Sequence, residues 1–549
     1  MRRTWALPLL VLLAFARVPS AGRAADSPAA GPLAPLLTNL GTLEHPVTTT
    51  NPRAQTFFDQ GLRLVYGFNH AEAVRSFREA QRLDPECAMC YWGEAYALGP
   101  NVNDPLTPER EKEAHAVLQK AKALATRATD AERGLIDALA PRYSDAPTGD
   151  RAPRDAAFTA AMKALAARFP KDPEINTMYA AAAMEARPWR YWKEADVPEP
   201  EIAGALATLE RMLREYPDHP GAHHFYIHLV EATSTPQRGV PSAEKLESLM
   251  PGAGHLVHMP AHIYMRVGRY ADASESNVRA IAADEDYLAQ CQAQGLYPVA
   301  YYPHNVHFLW AAATMEGRSA VAIDAARKVA AKLNHDLLHD VVVLQDFQSV
   351  PYYALVRFGR WEEMLTEGKP PKDFAFTTAM WHYGRGVAFA ARGQYARARQ
   401  ELEALGAQRS SAALKGAELA GTPLAAIADL AAKILEGELA ARERKFDPAV
   451  ASLTAAVAMQ DAQRYNEPAT WHYPVRQSLG AVLLAAGRAA EAESVYREDL
   501  RRNPENGWSL FGLARSLEGQ QKDGEAEDVW RRFRRAWGRA DVTITASRF

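Results

Sequence analysis

One spacing pattern recurs along most of this chain and constrains its fold more than any other feature. From Phe57 the chain reads FFDQGLRLVYGFNHAEAVRSFREAQRLDP, with small and larger apolar residues at helical spacing. The pattern returns with a period of about 34 residues. Such a period predicts pairs of amphipathic helices that must stack, because one pair cannot bury its apolar face alone. The clear copies lead with Gly61, Gly386, Gly437, Gly480 and Ala514, and the weaker copies with Ala261, Trp310 and Leu355.

Six residues of the first copy have the spacing of the tetratricopeptide repeat, and the chain resembles that family over most of its length. The resemblance implies an all-α fold, a right-handed superhelical solenoid of helical hairpins. It also implies that the first helix of each hairpin lines a concave groove, where a protein or peptide partner would bind. The CAMCYWGEA stretch that follows is similar to exported bacterial proteins of this type. The six residues are Gly61, Leu64, Ala73, Phe77, Ala80 and Pro85.

The N-terminus has the layout of an export signal. Arg2 and Arg3 precede an apolar run from Trp5 to Ala16, and small residues continue to Ala24. We therefore expect a mature protein that begins near Ala25 and is periplasmic or secreted. No later stretch reaches roughly 18 uninterrupted apolar residues, so no membrane span is expected in the mature chain.

The repeats and the signal together predict a division of the chain into segments that differ in how closely they follow the period. The predicted segments are a signal peptide (1–24), an N-terminal linker (25–53), N-terminal repeats (54–150), central divergent repeats with a histidine-rich groove (151–345), C-terminal repeats (346–537) and a tail (538–549).

Composition argues against nucleic acid as a partner, and it does not decide the chemical state of the cysteines. The 549 residues carry 63 Lys and Arg against 66 Asp and Glu, a net charge of −3, and no long basic run, so nucleic acid is not expected as a partner. Three cysteines are too few for a disulfide framework in a chain of this length. Cys87 and Cys90 are compatible with a local disulfide, with two free thiols, or with redox or metal chemistry.

The histidines are concentrated in one part of the chain. Eleven of the 16 lie between His219 and His339. In the repeat register, His255, His258 and His262 take positions 2, 5 and 9 of a first helix, within an arc of about 60°. His224 and His228 take equivalent positions in the preceding unit, and His304 and His307 in the following one. The resemblance therefore implies that three neighbouring helices direct histidines into one groove.

Histidines at i, i+3 and i, i+4 on neighbouring helices favour a transition-metal site, and imidazole ligands with few acids suit zinc or copper. Glu231 is the acid best placed to act as a ligand, as a hydrogen-bond partner of a ligand or as a general base. A further helix is predicted to present His335, His339 and Asp346 along one face. A metal-free polar or aromatic pocket, or coincidence, are the alternatives. The predicted ligands are His224, His228, Glu231, His255, His258, His262, His304 and His307.

Other catalytic motifs are missing from the sequence. Glycine-rich phosphate loops, the GxSxG motif and paired CxxC zinc sites do not occur. The sequence therefore predicts an exported solenoid that acts as a binding or scaffold protein with a histidine-rich metal site in its groove. The alternative is a zinc or copper metalloenzyme that uses the same histidines, with Glu231 as its one candidate catalytic residue.

Overall fold

The computed structural model describes residues 31–147, 149–194, 196–291, 297–333 and 335–549. The predicted signal peptide lies outside the described residues. Across the described ranges the regular secondary structure is almost entirely helical, which confirms the all-α prediction. The described strands form two short antiparallel pairs, Trp192–Glu194 (β1) with Val197–Pro198 (β2) and Glu418–Leu419 (β3) with Thr422–Pro423 (β4). None of the described helices has the length and apolar character needed to cross a bilayer.

The described residues form two compact units. The N-terminal unit contains residues 31–263 and 278–302, and the C-terminal unit contains residues 264–277 and 303–549.

Eleven described helices belong wholly to the N-terminal unit, and each packs mainly on the helices next to it in the chain. The described unit also includes 3-10 turns at Ala125–Arg127, Ala140–Arg142 and Pro236–Gly239 and a π-helical turn at Tyr297–Tyr301. The helices are α1 Pro52–Tyr66, α2 His70–Leu83, α3 Ala88–Ala97, α4 Pro108–Leu124, α5 Asp130–Leu139, α6 Ala152–Arg168, α7 Pro173–Glu185, α8 Pro200–Glu215, α9 Pro220–Val230, α10 Val240–Leu249 and α11 Gly254–His258.

Three helices contain residues of both units: α12 Pro260–Val267, α13 Tyr270–Gln290 and α14 Tyr302–Glu316. The remaining described helices belong to the C-terminal unit, which also has a 3-10 turn at Val342–Leu344. They are α15 Ser319–Ala331, α16 His335–Asp340, α17 Gln345–Arg357, α18 Trp361–Thr366, α19 Ala375–Ala391, α20 Tyr395–Arg409, α21 Ala412–Lys415, α22 Leu424–Arg442, α23 Phe446–Asp461, α24 Val475–Ala485, α25 Ala489–Arg502, α26 Gly507–Glu518 and α27 Asp523–Ala536.

The helices pack closely because the periodic small residues leave room for a neighbouring aromatic ring. The ring of Phe77, on α2, is 1% exposed and lies between Gly61 on α1 and Gly93 on α3. A Cβ at Gly61 would lie 2.7 Å from that ring. Tyr496 has the same relation to Gly480 and Gly512 in the C-terminal unit. The recurrent glycines and aromatics of the sequence are therefore packing positions.

The turn inside eight of the described hairpins is made in the same way. In the first hairpin the Asn69 N–H donates to the carbonyl of Leu64 at 2.9 Å, and Phe68 between them has φ +55°. The left-handed conformation favours glycine, because a Cβ makes it strained. Phe68 takes the place that glycine takes in five other described turns of this form, at Gly268, Gly317, Gly359, Gly393 and Gly487.

The cysteine pair is a disulfide at the start of a helix. Cys87 and Cys90 are bonded and completely buried, and the Cys87 side chain accepts the Cys90 N–H at the N-terminus of α3. Of the three alternatives for these cysteines, the structure shows the disulfide.

Replacing Gly61 by alanine tests the ring-and-glycine packing. The added methyl group must displace the buried Phe77 ring, so we expect a loss of about 1–3 kcal/mol in the free energy of unfolding. Gly406→Ala is the matched control, because it lies inside α20 with no other side chain or distant backbone atom within 4 Å of the added Cβ. That change should gain up to about 1 kcal/mol from helix propensity. Urea unfolding measures both variants, and equal effects would contradict the packing role.

His70 gives the fold a defined response to acid. Burial, aided by the charges of Arg110 and Arg142, lowers the pKa of His70 from 6.5 to about 3. Below pH 6.5 the unfolded chain therefore binds a proton at this histidine, whereas the folded chain does not bind it until about pH 3. The free energy of unfolding therefore decreases as the pH is lowered across that window.

Urea unfolding at pH 7 and at pH 5 measures this response. We expect the free energy of unfolding to decrease less between pH 7 and pH 5 in His70→Gln than in the parent protein. The partly exposed His115 supplies the control variant His115→Gln. A parent and a His70→Gln protein with the same pH dependence would exclude His70 as the source.

Candidate metal centre

Helix α9 places two of the predicted histidines in the core of the N-terminal unit. It starts with Pro220 after His219, whose Nδ1 accepts the Ala222 N–H at 3.1 Å, and all of its residues are buried. Because α9 packs against α1, the i, i+4 pair of His224 and His228 meets the first hairpin turn.

His255, on α11, joins this pair. The Nε2 atoms of His224 and His255 are 3.1 Å apart. One ring nitrogen from each of His224, His228 and His255 lies within 4.8 Å of the other two. The side chains are almost inaccessible, with relative exposures of 0%, 2% and 2%. The structure therefore brings three imidazoles from two helices to one buried point.

The other nitrogen of two of these rings is held by an acceptor. His224 donates Nδ1–H to the backbone carbonyl of Tyr66 at 2.7 Å, and His228 donates Nδ1–H to Oε1 of Glu231 at 3.0 Å. A carbonyl and a carboxylate can only accept, so in the neutral rings Nε2 carries the lone pair. Among the described residues, Nε2 of His228 has no hydrogen-bond partner. This is how proteins orient histidines that ligate metals.

The distances suit a transition metal. In a tetrahedral zinc site, bonds of about 2.0–2.1 Å place two imidazole nitrogens about 3.3 Å apart. The His224–His255 separation is already close to this value. The His228 nitrogen lies within 4.8 Å of the other two, so it would need to move inward by at most about 1.5 Å to match this separation. The donor set therefore fits zinc or copper.

The protonation states also suit metal binding. Burial, together with the nearby His228, lowers the pKa of His224 well below its usual 6.5. Burial also lowers the pKa of His228, although Glu231 opposes the shift. Both imidazoles are therefore neutral at pH 7, the form that coordinates a metal.

A second pair of imidazoles lies next to the first group. His258 ends α11 and His262 lies on α12, and their Nε2 atoms are 2.8 Å apart. Nδ1 of His262 is 2.5 Å from Oε2 of Glu231. Burial raises the pKa of Glu231, but the charge of His262 and hydrogen bonds from His228 and His262 outweigh this and lower it to about 2. Glu231 is thus an ionised carboxylate that contacts both groups of histidines.

Aromatic side chains cover the first three imidazoles. The centroid of the Phe68 ring lies 4.4 Å from that of His224, 5.9 Å from that of His228 and 5.2 Å from that of His255. The centroid of the Tyr301 ring lies 4.8 Å from that of His255. The left-handed conformation of Phe68 is strained for a bulky residue. Phe68 was not predicted from the sequence, although its position in a turn that uses glycine at five other places is a readable signal.

The structure brings six of the eight predicted site residues together in the N-terminal unit: His224, His228, Glu231, His255, His258 and His262. His304 and His307 belong to the C-terminal unit. In that unit His304 contacts Phe308, and His307 stacks on Trp310 at 5.0 Å between ring centroids. Burial lowers the pKa of His307 to about 3.

The predicted common face of His335, His339 and Asp346 is wrong. His335 and His339 are exposed on the short helix α16, whereas Asp346 is buried on α17. The 3-10 turn at Val342–Leu344 separates the two helices. The i, i+4 spacing is real, but one continuous helix is required to keep the three side chains on one face.

No protein-family description and no curated protein matches the chain. Similar solved structures include the human IFIT1 dimer with m7Gppp-AAAA, at 13% identity and a TM-score of 0.31 over 89% of this chain and 91% of that chain. Yeast Tom70 has 10% identity and a TM-score of 0.28 over 88% and 91%. The P58(IPK) TPR domain has 12% identity and a TM-score of 0.24 over 85% and 98%.

Replacing Phe68 by glycine tests the aromatic cover. Glycine accepts the left-handed conformation, so the turn can form while the ring that covers the imidazoles is removed. We expect His224, His228 and His255 to react with diethyl pyrocarbonate several-fold faster in this variant, as measured by peptide mass spectrometry.

The control is Arg444→Gly, because the exposed Arg444 makes the same turn with φ +62°. This change should leave those rates unaltered and stabilise the fold by about 1 kcal/mol. Equal histidine reactivity in the two variants would show that Phe68 does not shield the site.

Proposed function

We propose that this chain is a helical-repeat binding protein whose N-terminal unit holds a zinc or copper ion on His224, His228 and His255. The observation that carries the proposal is the meeting of three buried imidazole nitrogens within 4.8 Å. The acceptors on Nδ1 of His224 and His228 support it, because they leave the lone pair of each neutral ring on Nε2.

The donor set narrows the choice of metal. Imidazole suits zinc and copper, whereas magnesium and calcium require several oxygen ligands. Glu231 is a buried carboxylate beside these rings, and it contacts Nδ1 of His228 and Nδ1 of His262. Its proposed role is to hold ligands in orientation and to balance their charge.

The proposed binding or scaffold role is based on the helical repeats and on a surface groove that is not lined by the candidate histidine ligands. Stacked helical hairpins commonly expose extended binding surfaces. A surface groove of about 710 Å³ lies between α6, α7 and α8, with Lys163, Lys171 and Arg211 among its lining residues. Its size and excess of cations suit an acidic segment of a protein or peptide partner. Export remains part of this proposal, on the layout of residues 1–24 alone.

A metalloenzyme is the second candidate function. Three protein ligands leave one position of a tetrahedral metal open, as in catalytic zinc sites. The burial of the three rings beneath Phe68 favours substrates of only a few atoms. Glu231 faces Nδ1 of His228, on the side of the ring opposite to the ligating nitrogen, so its contacts favour orientation over acid–base chemistry.

Loss of His228 tests the metal site directly. We expect the metal-free protein to take up zinc or copper(I), and His228→Gln to weaken the affinity at least tenfold, as measured by competition with a chromophoric chelator. A metal present at 100 times its Kd stabilises the fold by about 2.7 kcal/mol, so chelation should lower the Tm of the parent protein.

The neighbouring buried His223 supplies the matched control. It lies on the same helix, but its Nε2 donates to the carbonyl of Pro217. His223→Gln should retain the affinity of the parent protein and the response to chelator. The proposal fails if neither metal is taken up, or if the two variants bind alike.

A further inference from the structure

The tail of the chain (538–549) lies on the C-terminal unit as an extended segment. The structure describes all of it and contains no helix or strand there. From 541 to 546 the residues alternate, exposed at 541, 543 and 545 and partly or wholly buried at 542, 544 and 546. Ile544 and Ser547 are 6% and 1% exposed. The tail therefore presents one face to the unit, as a bound peptide does.

The first contact of the tail is with the start of a helix. Asp541 accepts the N–H groups of Ser319 and Ala320 at 2.6 and 2.9 Å, and its own N–H donates to the carbonyl of Gly317 at 3.2 Å. These bonds cap the N-terminus of α15. The residues that follow Asp541 are then free to cross other hairpins of the unit.

Ser547 and Arg548 contact polar groups on two of these hairpins. Ser547 donates its hydroxyl to the carbonyl of Gln477 on α24 at 2.6 Å and accepts from the hydroxyl of Tyr496 at 2.6 Å. Arg548 pairs with Glu438 on α22, which is 5% exposed. A buried carboxylate is costly without a cation, so this position favours a positively charged side chain.

Phe549 contacts aromatic rings and cations. Its ring centroid lies 5.9 Å from that of Trp508, and the guanidinium of Arg357 lies over the Trp508 ring at 3.6 Å. Arg442 donates to the carbonyl of Phe549. A Cβ at Gly359 would lie 2.9 Å from the Phe549 Cβ. The hairpin turn at Gly359 therefore leaves room for the tail because it carries no side chain.

The tail fills most of a pocket that its departure would open. Arg548 and Phe549 line a remaining cavity of about 20 Å³, which is room for one water molecule. Arg357 and Glu438 line the same cavity and are 4% and 5% exposed. Nε of Arg357 has no hydrogen-bond partner among the described residues. The tail therefore satisfies the polar groups of this pocket only in part.

We infer that this surface is a binding site for an extended segment of a partner protein in which an arginine precedes an aromatic residue, and that the tail occupies it as an internal ligand. The partner binds by displacing the tail. Glu438 selects the arginine by charge, and Trp508 and Gly359 accept the aromatic side chain and the backbone beside it. The site is independent of the proposed metal centre in the N-terminal unit.

The test uses full-length chains and a fluorescent synthetic peptide of residues 540–549. Arg548→Glu places a negative charge beside Glu438 and should release the tail, so this variant should bind the peptide, as measured by fluorescence anisotropy. The parent chain should bind it at least tenfold more weakly, because its own tail competes at an effective concentration of about 1 mM. Arg531→Glu is the control, because Arg531 pairs with Asp528 on the exposed face of α27, and it should behave as the parent does.

Two further variants separate site binding from a loss of structure. Phe549→Ala removes the aromatic contact without adding a charge and should also increase the affinity for the peptide. Glu438→Arg combined with Arg548→Glu restores an ion pair with exchanged charges, so this double variant should again exclude the peptide. Circular dichroism shows whether each variant is folded.

Three outcomes would overturn the inference. If neither Arg548→Glu nor Phe549→Ala binds the peptide while both are folded, the tail is only a structural part of the unit. If the parent, Arg548→Glu and the double variant bind it equally, the peptide binds elsewhere. If sedimentation shows a dimeric parent and a monomeric Arg548→Glu chain, the tail binds a second copy of the protein instead of acting as an internal ligand.

Discussion

The fold of this chain depends on the packing of aromatic rings against helices that carry glycine at the contact. Phe77 between Gly61 and Gly93 shows the contact, and Tyr496 repeats it near the other end of the chain. A helix pair bound in this way has one face covered by its partner and another available to the next pair. Since the contact needs only small and aromatic residues at fixed positions, other positions of the first helices are free to carry polar groups.

In the N-terminal unit, several buried imidazoles lie close together. A buried polar group without a partner costs about 1–3 kcal/mol, so a cluster of this kind persists only when its members satisfy one another or a ligand. Tyr66, Glu231 and the neighbouring rings account for most of the Nδ1 and Nε2 atoms here. Nε2 of His228 has no hydrogen-bond partner among the described residues, and we propose that a metal ion supplies one.

The sequence predicts the helical hairpins and most of the candidate site for one physical reason. A helical period specifies which residues share a face, and the register predicted His224, His228, His255, His258 and His262 on faces that line a groove, whereas the structure brings them together in the interior of the N-terminal unit at relative exposures of 0–4%. It does not specify how a turn covers that face, so Phe68 and the Tyr66 carbonyl were not predicted. It also does not reveal where a helix is interrupted, which is why His335 and His339 were wrongly grouped with Asp346.

Anomalous diffraction from crystals loaded with zinc or copper would show whether the imidazoles of the N-terminal unit hold a metal ion. We expect an anomalous peak about 2.0–2.1 Å from a ring nitrogen of each of His224, His228 and His255. Peaks confined to exposed histidines such as His335 and His339, with no density between the buried rings, would contradict it.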